Sequence, residues 1–159
     1  MDIYYGKAAP YIAQYYNQVH SNVQKHGQPL YIYAQPDAYR NGYLSAKCLK
    51  EYTKILNDAL EAVKGDRELT KRVRREMLGI LYVKAKKISF NKKERNEALE
   101  EFYKICKENG ITDIMEGNPD YLDKFYKKTK KQIKTVITPD KDTTVAISQA
   151  IKFGLKKKR

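Results

Sequence analysis

Residues 45–88, "SAKCLKEYTKILNDALEAVKGDRELTKRVRREMLGILYVKAKKI", carry two runs of apolar residues at three- and four-residue spacing, separated by a Gly-Asp pair. This pattern constrains the fold most. In the first run, Cys48, Leu49, Tyr52, Ile55, Leu56, Ala59, Leu60 and Val63 form a wide helical stripe. Ser45 stands where an N-cap belongs. In the second, Leu69, Val73, Met77, Ile80, Leu81 and Ile88 trace one face of a single helix expected over 67–88, with Lys84 at its edge. "MLGILYV" is apolar nearly all round and should be its most buried part. Gly65 can close one helix and Asp66 can cap the next at once, so the two run antiparallel.

Three further helices follow from the same reasoning. One starts near Ala9, with Pro10 in its first turn, and ends at Gly27. Ile12, Tyr15 or Tyr16, Val19 and Val23 recur on its apolar face. Another opens at Asn91, turns Ala98, Leu99, Phe102, Ile105 and Cys106 inward, and stops at Asn109 and Gly110. A last one is expected from Asn118 as cap and Pro119 in the first turn, with Leu122, Phe125 and Tyr126 on its apolar face. Between Gly27 and Ser45 the chain is punctuated by Pro29, Pro36 and Gly42. It reads as a long loop in which "LYIY" suits a short strand. Past residue 134, "TVIT" and "TTVAIS" flank a "PDKD" turn and allow a short β-hairpin or a linker.

The expected fold is therefore mainly α: a bundle of about five helices over residues 1–134, a long tyrosine-rich loop, and a basic extension over 135–159. An apolar fraction of 42% supports one real core, and a charged fraction of 32% a strongly solvated surface. No run of eighteen apolar residues occurs, so no membrane insertion is expected. The chain itself shows no signal peptide.

Charge is uneven. Of the net +13, residues 120–159 carry +8, from twelve Lys/Arg against four Asp and no Glu. Lys127, Lys128, Lys130, Lys131 and Lys134 form the basic patch of the last helix. Such a patch can meet phosphates, but no nucleic-acid motif accompanies it and aromatic residues are not interleaved at stacking intervals. A solvated helix face is the plainer reading.

Catalytic signatures are missing: no Gly-rich phosphate loop, no GxSxG, no HExxH. Glu100 and Glu101 are adjacent on a helix and point in different directions, which reads as a solvated face rather than an acid–base pair. His20, next to the core position Val19, reads as a boundary residue. His20, His26, Cys48 and Cys106 lack ligand spacing, so neither metal nor cofactor is expected. Both cysteines fall on apolar stripes and read as buried thiols.

The chain holds 14 tyrosines, and the loop is one place where they gather. Tyr31, Tyr33, Tyr39 and Tyr43, beside Asp37 and Arg40, are candidate carbohydrate contacts. A tyrosine offers a flat apolar ring and one polar tip, and sugars present apolar C–H faces as well as hydroxyls. The same rings can equally well pin a long loop to the bundle.

Residues 4–16, "YYGKAAPYIAQYY", hold five more tyrosines. This segment resembles a stretch at the end of the barrel in a family of large bacterial glycoside-hydrolase-like proteins, domain of unknown function 4838. "FYKICKENGITDIMEG", residues 102–117, resembles the later part of that family's C-terminal helical domain. "GDRELTKRVRREMLGILYVKAK" lies between them as the family's central helix does. The likeness spans roughly residues 4–126, and the last thirty or so residues depart from it. It implies an exported multidomain parent acting on polysaccharide or glycan, with the catalytic carboxylates on a barrel; none is carried over here. It makes residues 1–11 a junction, with Ile3, Tyr4, Tyr5 and Tyr11 facing that barrel in an exposed apolar patch. The expected function is a non-catalytic accessory domain whose partners are the barrel and glycan. The alternative is a stand-alone basic module for nucleic acid or another polyanion.

Overall fold

The computed structural model describes residues 1–27, 29, 31, 36–87, 89–115 and 118–135, with the backbone alone at 36 and 37. The expected strand around Ile32, the tyrosine Tyr33, the Asp37 side chain and the expected hairpin lie outside these. The fold is mainly α, and no strand occurs among the described residues.

Seven α-helices are described: α1 Asp2–Tyr5, α2 Ala9–His26, α3 Ala46–Ala62, α4 Arg67–Glu76, α5 Leu78–Lys86, α6 Lys92–Glu108 and α7 Tyr121–Thr135. Helices α2 and α3 pack along each other, as do α5 and α6, and α7 closes on α6. Caps stand where short polar residues were read. Ser45 Oγ accepts from the Cys48 N–H, and Asp66 Oδ1 accepts from the Leu69 N–H at 2.9 Å. Asn91 and Glu94 exchange side-chain and backbone bonds in a full capping box. Each such cap contributes about 1 kcal/mol.

The core follows the stripes. Ile12, Leu49, Leu56, Leu99, Ile105, Leu122 and Ile133 are all but fully buried. Tyr82 stacks on Phe125 at 5.0 Å between ring centres, and Phe102 closes the cluster edge-on to Phe125 at 5.6 Å. That cluster welds α5, α6 and α7. Arg74 of α4 reaches Glu101 at 2.6 Å and Glu108 at 2.7 Å on α6.

Three elements depart from expectation. The helix expected over 67–88 divides at Met77, whose N–H bonds the Arg74 carbonyl at 3.1 Å. That three-residue closure tightens the turn before the ladder resumes at Leu81. Helix α7 starts at Tyr121 rather than after an Asn118 cap. The Asp113 carboxylate takes the Asp120 N–H at 2.8 Å, and Asp120 is left-handed with φ 58°. Residues 118–120 are thereby spent on a turn. Third, α1 and a 3-10 turn Gly6–Ala8 precede α2. Gly6 links them at φ 51°, ψ −129°, and a Cβ there would lie 2.8 Å from Leu69 Cδ1.

Two glycines therefore predict opposite outcomes. Gly6→Ala is expected to cost about 1–3 kcal/mol, because the backbone at φ 51° disfavours a side chain and the end of the Leu69 side chain must shift to admit it. Gly79 sits in α5 with open space around an added Cβ. Gly79→Ala is expected to be neutral or stabilising by up to about 1 kcal/mol. Denaturant unfolding of both variants checks the pair.

Candidate functional site

The tyrosine-rich loop is folded down onto the bundle by buried polar bonds. Residues 36–39 form a 3-10 helix, and the carbonyl of Tyr39 accepts from the Gly42 and Leu44 N–H groups. The Tyr39 ring is 7% exposed, and its hydroxyl accepts from the Tyr31 N–H at 2.8 Å. Tyr52 of α3, 1% exposed, donates its hydroxyl proton to the Tyr43 carbonyl at 2.9 Å. The same hydroxyl accepts from Asn22 Nδ2 of α2 at 2.9 Å. Lys87, at the end of α5, is 8% exposed. Its Nζ donates to the carbonyls of Arg40 at 2.6 Å and Leu44 at 3.0 Å.

These anchors leave a cleft of about 390 Å³ between the loop and the bundle. Tyr15 and Val19 of α2, Tyr52 of α3, and Gly79, Ile80 and Val83 of α5 form its walls. Tyr31, Tyr39, Tyr43 and Leu44 complete them. Five tyrosines thus face one space, and no charged side chain lines it among the described residues. Tyr39 and Tyr43 lie 5.2 Å apart, and Tyr15 meets Tyr52 edge-on at 5.8 Å. Burial pushes the hydroxyls of Tyr15 and Tyr43 up from their ordinary range, so both stay neutral at physiological pH. Among the described residues, the hydroxyls of Tyr15, Tyr31 and Tyr43 have no hydrogen-bond partner, whereas those of Tyr39 and Tyr52 are occupied.

Of the loop candidates, Tyr31, Tyr39 and Tyr43 meet in the cleft, while Arg40 is exposed and holds Lys87 through its carbonyl. Tyr33 and the Asp37 side chain are outside the described residues. Seven cleft residues stand outside the loop candidates, as helix positions or residues that the pattern does not single out: Tyr15, Val19, Leu44, Tyr52, Gly79, Ile80 and Val83. The signal that could have found Gly79 is a glycine inside an otherwise unbroken apolar run.

The N-terminal candidates divide. Ile3 is 100% exposed and Tyr4 44%, while Tyr5 and Tyr11 are half-buried against the core. Tyr5 and Tyr16 both donate to the Glu76 carboxylate, Tyr16 at 2.6 Å. Arg72 lies 4.6 Å over the Tyr4 ring and donates to its carbonyl at 2.7 Å. Helix α1 is thereby bound to α4.

On α7, Lys130 is engaged by Glu100, which also accepts from Tyr126, whereas Lys127, Lys128, Lys131 and Lys134 are exposed. Glu100 and Glu101 lie on the solvated side of α6, and each ties that helix to a different neighbour, Glu101 through Arg74. His20 is exposed rather than at a boundary. Cys48 and Cys106 are buried free thiols. Among the described residues no group of three or more His, Cys, Asp or Glu is placed to hold a metal. A second recess of about 510 Å³ opens beside Asp66, Arg67, Lys71 and Arg74, but Arg74 is already held by two carboxylates.

No protein-family model matches the chain, and no match was found among curated proteins or solved structures.

Burial of Tyr52 and its neighbours makes stability alkali-sensitive. Burial foremost pushes the Tyr52 hydroxyl from 10 up to about 12. Below pH 10 the folded and unfolded chains both keep this proton. Between 10 and about 12 the unfolded chain releases it more readily, so stability falls across that window. The Cys106 thiol, pushed by burial from 9 up to about 11, acts in the same direction. Tyr52→Phe is expected to lose about 1–3 kcal/mol at pH 7, since the Tyr43 carbonyl and the Asn22 amide each lose a partner. It should also flatten the alkaline slope. Urea unfolding of both proteins at pH 7, 10 and 11.5 reads both effects.

Proposed function

We propose that this chain is a non-catalytic helical accessory domain, lying C-terminal to the catalytic barrel of an exported, glycan-degrading protein similar to glycoside hydrolases. The observation that carries the reading is the bare apolar edge at α1. Four of the six exposed large hydrophobic residues among those described are Met1, Ile3, Tyr4 and Tyr16. A frayed terminus needs no anchors. Here Arg72 and Glu76 of α4 hold α1 in place, so Ile3 and Tyr4 are presented rather than loose. A rigid, exposed apolar edge is what a domain interface looks like once its partner is removed. The "YYG" and "GITDIMEG" segments supply the resemblance that names the partner as a barrel. In this role the helical bundle buttresses the barrel, and its tyrosine loop reaches the rim where glycan passes.

Immunoblotting the source organism with an antibody to this chain is expected to reveal a band several times larger than 18.6 kDa. A band at 18.6 kDa overturns the domain reading. Reducing sugar released from glycans by this chain alone overturns its non-catalytic part.

A second reading has one observation in its favour: the five exposed lysines on α7, Lys124, Lys127, Lys128, Lys131 and Lys134. A stand-alone polyanion-binding module predicts affinity for nucleic acid that falls steeply with salt. The accessory-domain reading expects no such affinity at physiological salt.

A further inference from the structure

We propose that the tyrosine-lined cleft seats one neutral pyranose ring of a glycan, and that Gly79 keeps the seat open. The inference rests on the glycan-associated reading above and gives it a site and a ligand class.

Three features of the cleft select this ligand. Its volume, about 390 Å³, falls within the range of ligand sites. Its walls are aromatic and aliphatic, with no charged side chain among the described lining residues. A uronate, a sulfated sugar or a phosphate would lose its hydration there and find no cation in return. Yet the walls are not uniformly greasy. The hydroxyls of Tyr15, Tyr31 and Tyr43 have no partner among the described residues. They stand at the edges of apolar rings. A pyranose has the matching surface, with C–H faces that lie on aromatic rings and equatorial hydroxyls that meet donors and acceptors around the rim.

Gly79 supplies the second argument. A helical glycine costs up to about 1 kcal/mol relative to alanine. Most are explained by a close backbone approach or a left-handed conformation. Gly79 has neither: nothing lies within 4 Å of an added Cβ, and its φ is not in the left-handed region. What the missing side chain does leave is space on the cleft wall, between Ile80 and the tyrosines. Any larger residue at this position would project into the volume that a ring occupies.

The test is calorimetric titration of the intact chain with neutral gluco-, manno-, galacto- and xylo-oligosaccharides, and with oligouronates as the charged comparison. At least one neutral series is expected to bind. Gly79→Leu should weaken that binding by roughly tenfold or more, as filling a pocket does, with an unchanged or higher melting temperature. Tyr31→Ala, which removes an exposed ring and leaves its backbone bond to Tyr39 intact, should also weaken it while leaving folding alone. Undiminished binding in both variants overturns the cleft as the site and leaves the glycan-associated reading standing. Tighter binding of the uronates overturns the neutral assignment. No binding by the unaltered chain to any oligosaccharide overturns the seat, whereas the accessory-domain reading falls only with the size of the native gene product.

Discussion

The hydroxyl of Tyr52 is the bond on which the tyrosine-rich face depends. Buried between α2 and α3, it accepts from Asn22 and donates to the Tyr43 carbonyl, so one atom joins both helices and the loop above them. An unpaired hydroxyl at that depth would cost more than the bond gains, so the three partners are locked together. Lys87 repeats the device from the other side. Its ammonium group spans the Arg40 and Leu44 carbonyls, using a buried charge to satisfy backbone that no helix or sheet satisfies. Between the two anchors, residues 40–44 have little freedom. The cleft is the space these anchors hold apart.

Much of the bundle was legible because it rests on local chemistry. Ser45, Asp66 and Asn91 cap helices in this structure as their side chains dictate, and each requires only a nearby backbone N–H. The buried stripe of α6, Ala98, Leu99, Phe102, Ile105 and Cys106, follows from period alone. What escaped was set by partners distant in sequence. The Asp113 carboxylate captures Asp120 and delays α7, and nothing within residues 118–121 signals it. The buried Asn22 and Lys87 look like surface residues until Tyr52 and the loop carbonyls are brought to them. Half of the loop candidates could be placed by type, since tyrosines in a long loop must pack somewhere. The α2, α3 and α5 residues that complete the cleft could not, because their roles depend on how three helices meet.

The two ends of the molecule present different surfaces. At α1, a clamp of Arg72 and Glu76 holds an apolar edge outward. On α7, five lysines face solvent while Glu100 takes Lys130. The proposed accessory role uses the first surface as a joint and the tyrosine cleft as a contact with the chain being degraded. It leaves the lysine face as the solvated side of an amphipathic helix, with Leu122, Phe125 and Ile133 turned inward. In this division the buttressing and the glycan contact share a rigid core, the Tyr82–Phe102–Phe125 cluster behind α5. Gly79 and Ile80 belong to that same helix.

The measurement that tests this account most directly is an amide chemical-shift map of the chain during titration with a mixture of neutral oligosaccharides. The account predicts saturable shifts concentrated at Tyr43, Leu44, Gly79 and Ile80, the backbone flanking the cleft. Shifts confined to the lysine face of α7, or none anywhere at millimolar sugar, would contradict it.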